Sequence, residues 1–257
     1  MAARSLGSVI RASSLHVSTP THWLTSRFHF AFADWWDGPQ QYGVLRVVND
    51  DIVEARSGFP PHPHRDMEIF SYVVDGELSH KDSMGSEETL GRGAVQYMSA
   101  GRGVRHSEMN NGEVPTRFLQ IWVRPAERSV EPQYGSVAFA EADRAGKLLH
   151  AINGAVNTTP GGHDKTITLG QDVNVYISQL GAAGDESVAF KLDSERQLYL
   201  VCIEGALRID GGADGSVELG ERDAFKLRGE HQLQFTSTGD AAADAHFLFL
   251  EMAASDD

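Results

Sequence analysis

The chain has 257 residues, a length that suits one large all-β domain or two smaller domains, and either arrangement can bury a full hydrophobic core. Its 36 acidic residues outnumber 22 basic ones, for a formal net charge of −14, which argues against direct binding to nucleic-acid phosphates or to anionic membranes. No apolar run approaches the roughly 18 to 20 residues of a membrane helix, and the single cysteine, Cys202, can form no internal disulfide, which predicts a reducing compartment: the cytoplasm, or also the nucleus if the source is eukaryotic.

The N-terminal stretch MAARSLGSVIRASS contains arginine and serine and no acidic residue, a composition that faintly resembles a transit peptide. The basic stretch is short, however, and soon gives way to sequence typical of a folded domain. We therefore interpret residues 1–9 as a flexible tail that leads into a first strand near Val9 to Ala12.

Residues 10–137 have the pattern of an all-β domain. An aromatic stretch at 23–36 is followed by strand patterns separated by glycine turns, with almost no helical periodicity. The predicted strands lie at 42–54, 67–74, 77–82, 95–98 and 118–124. This succession indicates a sandwich or a barrel.

Residues 138–172 are less regular, and we predict that they connect two domains, with a helix-compatible piece at 139–149. A second β-domain is predicted over 173–257. Its strand patterns lie at 173–180, 188–192, 198–203, 206–209, 224–227, 233–236 and 247–252.

Two short pairs of metal-ligand side chains stand out in the first domain. A single proline separates His62 from His64, and a single serine separates His106 from Glu108. A residue and its second neighbour on a strand point the same way, so each pair can present two donors on one face. If the strand after His64 folds back beside the strand that carries His106, the four groups converge. Three imidazoles and a carboxylate suit one divalent transition metal, such as iron, manganese, nickel, copper, cobalt or zinc.

Glu68 is an alternative to Glu108. It follows His64 by four residues, so a regular strand would place it on the same face, as a metal ligand or as an acid in the pocket. Gln96 and Asn110 are candidates for orienting the imidazoles. We interpret His80 as a residue near the site or on the surface, and not as a ligand.

The two halves resemble each other. SYVVDGEL around Gly76 matches YLVCIEGAL around Gly205, and His106 has a counterpart near His231, which indicates a duplicated β-barrel. The same offsets before Gly205 place Lys191 and Asp193 opposite the histidine pair, and Gln197 opposite Glu68. The second half therefore lacks the histidine pair, and we predict that it holds no metal.

The H-x-H-x3-E segment and the later glycine-rich motif with His106 and Asn110 resemble the two motifs of the cupin superfamily. More narrowly, the runs LRVVNDD, GFPPHPHRDMEI, DSMG and YMSAGRGVRHSE are similar to those of pirin proteins. The resemblance implies a bicupin, with two jelly-roll-like β-barrels and one metal centre in the N-terminal barrel. It implies that His62, His64, His106 and Glu108 are the metal ligands, and it leaves Glu68 as a pocket residue.

The resemblance also implies two classes of function. Several bacterial pirins resemble quercetin 2,3-dioxygenases, which open the flavonol ring with O2 and release carbon monoxide, whereas eukaryotic pirins look like iron-containing nuclear proteins that modulate transcription factors. We favour the enzyme, with Fe(II) as the first choice of metal, a flavonol bound through its 3-hydroxyl group, and Glu108 or Glu68 as the acceptor of the hydroxyl proton. The alternative is a metal-dependent regulatory or redox-sensing protein that binds a protein partner without turnover. A monomer is expected, because each chain already holds two barrels.

Overall fold

The computed structural model describes residues 6–154, 166–181, 186–238 and 244–255, and nearly all of its regular structure is β-strand, which confirms the predicted fold class. In chain order the first strands are β1 (Ser8–Ile10), β2 (His16–Thr21), β3 (Leu24–Phe28), β4 (Leu45–Val53), β5 (Ser57–His64), β6 (Glu68–Asp75), β7 (Glu77–Asp82), β8 (Glu87–Gly91), β9 (Ala94–Ser99), β10 (Val104–Asn110), β11 (Thr116–Val123) and β12 (Gln133–Ala138). The one-turn helix α1 (Glu141–Arg144) precedes β13 (Leu149–Gly154), β14 (Ile167–Leu169), β15 (Val173–Leu180), β16 (Ser187–Leu192), β17 (Arg196–Glu204), β18 (Leu207–Asp210), β19 (Ser216–Leu219), β20 (Ala224–Arg228), β21 (His231–Ser237) and β22 (Ala245–Ala253).

The chain divides into two compact units, which we call the first and the second barrel. The first barrel consists of Leu15–Phe139 together with Ile167–Gln171. The second consists of the described parts of Met1–Ser14, Ala140–Thr166 and Asp172–Asp256.

The ends of these units differ from the predicted domain boundaries. Strand β1 begins inside the stretch assigned to a flexible tail, and it pairs with β20 in the second barrel. Within the predicted connection, β13 pairs with β15, so that part of the segment is a strand of the second barrel. Residues 1–5 of the predicted tail and 155–165 of the predicted connection lie outside the described residues.

The first barrel contains a large sheet, in the order β12-β9-β6-β11-β4-β3-β2, and a small sheet, in the order β5-β10-β7-β8. Val73 and Phe118 of the large sheet pack with Leu78 and Leu90 of the small sheet, so the core lies between the two. On β10 the buried positions alternate, as a strand with one inward face requires. Three of its inward positions carry polar side chains, namely His106, Glu108 and Asn110.

Strand β5 carries the first histidine pair in spite of three prolines. Its only neighbour in the sheet order is β10, so it lies at the edge of the small sheet. An edge strand pairs on one side only, and proline, which has no N–H group, is tolerated there. The register places His62 directly opposite His106. The sequence predicted that the strand after His64 would fold back beside β10, but β5 itself, which ends at His64, makes this pairing.

The second barrel has the strand order β1-β20-β17-β22-β15-β13 in one sheet and β16-β21-β18-β19 in the other. Its core is apolar and rich in phenylalanine, and Cys202 is buried in it. The turn glycines Gly76 and Gly205 have φ values of +74° and +72°, a left-handed conformation that favours glycine, so the two halves share this turn geometry. Among the described residues no helix is long and apolar enough to cross a bilayer.

Candidate metal centre

Three histidines meet inside the first barrel. Each of His62, His64 and His106 offers a ring nitrogen, and these nitrogens lie within 4.8 Å of one another. The ring centroids are 4.5 Å apart for His62 and His106, 4.7 Å for His62 and His64, and 4.9 Å for His64 and His106. The close approach follows from the β5–β10 register, which sets one histidine opposite another.

The surroundings of these rings suit a metal. Nδ1–H of His62 donates to the Pro60 carbonyl over 2.9 Å, so Nε2 is the ring nitrogen that remains as a possible ligand atom. Both ring nitrogens of His106 are buried and have no hydrogen-bond partner. Burial, followed by the neighbouring histidines, lowers the pKa of His64 to about 4 and that of His106 to about 3. Both imidazoles are therefore neutral at neutral pH, the form that binds a metal.

Glu108 lies next to this cluster and is held by three side chains. Its Oε1 accepts hydrogen bonds from Ser71 (3.2 Å) and Gln96 (2.9 Å), and its Oε2 accepts one from Gln120 (2.8 Å). Oε2 is 4.0 Å from Nε2 of His106. The carboxylate is almost fully buried, and the three donors compensate for its lost hydration.

Glu68 is not brought into the cluster. Its carboxylate accepts hydrogen bonds from the backbone N–H groups of Gly170 (2.6 Å) and Gln171 (3.0 Å) and from the hydroxyl of Tyr97 (3.0 Å). It lies an odd number of positions from Ser71, which reaches Glu108, so the two side chains leave β6 on opposite faces. The predicted role of Glu68 as a ligand or pocket acid is therefore corrected: it fastens residues 170–171 to the first barrel.

Two other predicted residues have different roles from those expected. Gln96 holds the Glu108 carboxylate and not an imidazole. The Asn110 amide donates to the carbonyls of Val53 and Val114, and its oxygen accepts from the N–H of Gly112, so this side chain closes a turn.

His80 is closer to the cluster than the sequence indicated. It is buried, its ring lies 5.3 Å from that of His106, and it stacks on Tyr134 at 4.2 Å. Its Nε2 is 3.0 Å from the Asp82 carboxylate. This contact gives His80 a partner other than a metal.

A cavity of about 300 Å³ opens beside the histidines. His62 and His64 line it, and its walls include the aromatic side chains of Phe28, Phe32 and Trp122. Phe28 and Phe32 belong to the aromatic stretch at residues 23–36.

Several residues of the site were missed by the sequence reasoning. Ser71 and Gln120 hold Glu108, and Asn49 and Asp51 line the cavity. Each lies on an inward position of a strand in the large sheet. The alternation of inward and outward residues along a strand could have identified these positions, because a polar residue at an inward position is unusual.

In the part of the second barrel that the structure describes there is no such histidine cluster, and the sequence offsets used to align the two halves were one residue too short. The two barrels can be aligned by their glycine turns, Gly76 and Gly205, and by the pairing of their strands. In this alignment Phe190 takes the position of His62, and Leu192 takes that of His64. Leu233 takes the position of His106, in place of His231. Strand β17 has 9 residues before its glycine turn, whereas β6 has 8, and this one-residue difference moves the preceding side chains to the other face.

Comparisons with known proteins agree with this architecture. A model of the pirin family matches residues 10–123, and a model of the quercetinase C-terminal cupin domain matches residues 149–252. The chain is 36% identical over 220 residues to a pirin-like protein of Caulobacter vibrioides, covering 85% of this chain and 90% of that one. It is 36% identical over 191 residues to the quercetin 2,3-dioxygenase of Escherichia coli K12, covering 74% and 78%.

Among solved structures, the bacterial pirin YhhW of Escherichia coli in complex with nickel(II) superposes with a TM-score of 0.83 at 29% identity, over 96% of this chain and 99% of that one. The fold, the two domain models and relatives at this level of identity lead to one conclusion. The chain belongs to the pirin family.

Proposed function

We propose that this protein is a metal-dependent dioxygenase that opens the ring of quercetin-like flavonols with O2. The observation that carries the proposal is the cluster of three histidines beside an aromatic cavity, in a chain 36% identical to a quercetin 2,3-dioxygenase. The related pirin that binds nickel(II) supports a divalent metal. We favour Fe(II), and the donor set also suits Mn, Ni, Cu, Co and Zn.

In this proposal His62, His64, His106 and Glu108 hold the metal. When bound, the metal supplies Lewis acidity that lowers the pKa of the 3-hydroxyl group, and it brings the flavonol and O2 together. The rest of the chemistry belongs to the protein. Phe28, Phe32 and Trp122 pack against the flat rings and exclude water, and Glu108 Oε2, beside His106, takes the hydroxyl proton.

The hydrogen bonds to Glu108 support this role. Ser71, Gln96 and Gln120 fix both carboxylate oxygens, so the group is already oriented before a substrate arrives. The predicted monomeric state, the cytoplasmic location and the absence of nucleic-acid binding remain predictions of the sequence.

The proposal is tested by metal analysis and a quercetin assay under air on the same sample. We expect about one metal ion per chain, loss of the flavonol absorbance in proportion to metal content, and release of carbon monoxide. The variant His62→Ala is expected to lose both metal and ring cleavage, because a ring nitrogen of His62 is one of the converging ligand atoms. His22→Ala, an exposed histidine of the same barrel, is the control and should behave as the wild type.

Two results would argue against the proposal. Metal bound without turnover would favour a regulatory or redox-sensing protein that acts through a protein partner. Full metal content and full turnover in His62→Ala would show that the histidine cluster is not the site.

A further inference from the structure

The cavity beside the histidines has a second polar feature, on strand β4. Asn49 and Asp51 are two positions apart on this strand, so they point to the same face, and both line the cavity. Their Cα atoms are separated by about 6.5 Å, given the rise of a strand. Neither residue is among the proposed metal ligands.

Asn49 has an unused acceptor. Its side chain is only 3% exposed, and its Oδ1 is buried with no hydrogen-bond partner. Leaving a buried amide oxygen unpaired costs free energy, and such groups are rare in folded proteins. A donor on a molecule in the cavity would satisfy this oxygen.

Asp51 differs sharply from its neighbour Asp50. Asp50 leaves β4 on the opposite face and forms a bidentate ion pair with Arg117, over 2.7 and 2.9 Å. Asp51 faces the cavity, accepts a hydrogen bond from the Ser26 hydroxyl, and has no cation paired with it in the part of the chain that the structure describes. Burial raises the pKa of Asp51 to about 7, with smaller raising contributions from Asp50 and Glu108 and a lowering one from Ser26.

We propose that Asn49 and Asp51 form a subsite for a hydroxyl group of the substrate that is remote from the one bound at the histidines. This inference rests on the proposed function and narrows it. The preferred substrates are polyhydroxylated flavonols, and flavonols whose only hydroxyl is the 3-hydroxyl are poorer ligands. The aromatic walls accept any flat ring, so the two polar side chains of β4 supply the discrimination between these classes.

The test compares quercetin with 3-hydroxyflavone, which has no hydroxyl apart from the 3-hydroxyl. Binding of each to the nickel-loaded full chain is measured by titration for the wild type, Asn49→Leu and Asp51→Leu. The wild type should bind quercetin about tenfold more tightly, the typical effect of one good hydrogen bond. Each variant should bring this ratio close to one through weaker quercetin binding, with binding of 3-hydroxyflavone unchanged.

Glu54→Gln is the matched control. Glu54 is an exposed carboxylate directly after β4 and does not line the cavity, so its replacement should leave the ratio unchanged. A purely structural role for Asn49 or Asp51 would alter binding of both flavonols equally.

The outcomes separate this inference from the proposed function. If both flavonols bind and the β4 variants leave their affinity ratio unchanged, the subsite is overturned while the dioxygenase proposal stands. If neither flavonol binds the nickel-loaded protein, the proposed function is overturned and the subsite with it. Should one β4 variant fail to fold, the other decides the question by the same ratio.

Discussion

Where the first barrel has His62, His64 and His106, the second barrel has Phe190, Leu192 and Leu233 at the same strand positions. Glu108 is matched by Phe235, and His80 by Ile209. The apolar residues of this set pack in or against the core of the second barrel. One strand framework thus supports a polar interior in one barrel and an apolar interior in the other.

The surroundings of the carboxylate change together with it. Ser71, Gln96 and Gln120 donate to Glu108 in the first barrel, and the registers set Leu200, Phe225 and Phe249 at these positions in the second. A buried carboxylate is tolerated only when hydrogen bonds replace its lost hydration, so the donors and the acid must occur together. The comparison shows that the site is a set of matched inward residues, and not the histidines alone.

The largest effect is expected when a carboxylate is introduced into the second barrel, at the position of Glu108, without the side chains that donate to it. Phe235 is fully buried, and its ring lies 5.1 Å from that of Phe247 and 5.7 Å from that of Phe249. Phe235→Glu would bury a carboxylate among apolar side chains without a donor, and we expect it to lower the free energy of unfolding by about 3 to 5 kcal/mol. Urea denaturation measures this change.

Phe235→Leu is the control for that experiment, because it keeps the position apolar. It should cost less than about 1.5 kcal/mol. Equal losses in the two variants would mean that volume, and not unpaired charge, sets the requirement at this position.

Asp51 offers a second contrast, because its position in the second barrel is occupied by Ser178. Its pKa is raised from an ordinary value of 3.8 to about 7, mainly by burial. Between these pH values the folded state holds a proton that the unfolded state has lost, so the free energy of unfolding falls as the pH rises. Removing the carboxyl with Asp51→Asn should abolish this contribution, which amounts to at most about 4 kcal/mol.

This prediction is checked by urea denaturation of metal-free wild type and Asp51→Asn at several pH values from 4 to 8. The difference in stability should grow between pH 4 and pH 7 in favour of the variant. Parallel pH profiles would contradict the raised pKa. The exposed Asp34→Asn serves as the control and should follow the wild type.

The smallest expected effect concerns a residue that holds Glu108. Gln120 donates to Oε2 of Glu108 and accepts a hydrogen bond from the Trp122 indole, so Gln120→Leu would replace it by an apolar residue, as in the second barrel. Loss of a group that orients a metal ligand typically lowers metal affinity 10- to 100-fold. Competition with a chelator measures this affinity, and exposed Gln133→Leu in the same barrel should leave it unchanged. Unaltered affinity in Gln120→Leu would argue that Glu108 is not a ligand.

The sequence by itself determined the fold class, the duplication and the histidine pairs, because these depend on local patterns. Alternating polar and apolar residues between glycine turns predicted strands. His62 and His64 are two residues apart, so they point to the same face of any strand that contains both. The equivalent turns at Gly76 and Gly205 were visible as sequence matches, since each needs a glycine at positive φ.

Only the tertiary structure decided which acid lies beside the histidine cluster. Glu68 and Glu108 were both acceptable from their spacing, and the face on which each leaves its strand separated them. Only the strand registers place Phe190 and Leu192, and not Lys191 and Asp193, at the positions that the histidines take in the first barrel, because one extra residue in β17 reverses the faces. The donors to Glu108 and the cavity residues Asn49 and Asp51 come from strands distant in sequence. They meet at the site because antiparallel pairing brings those strands together.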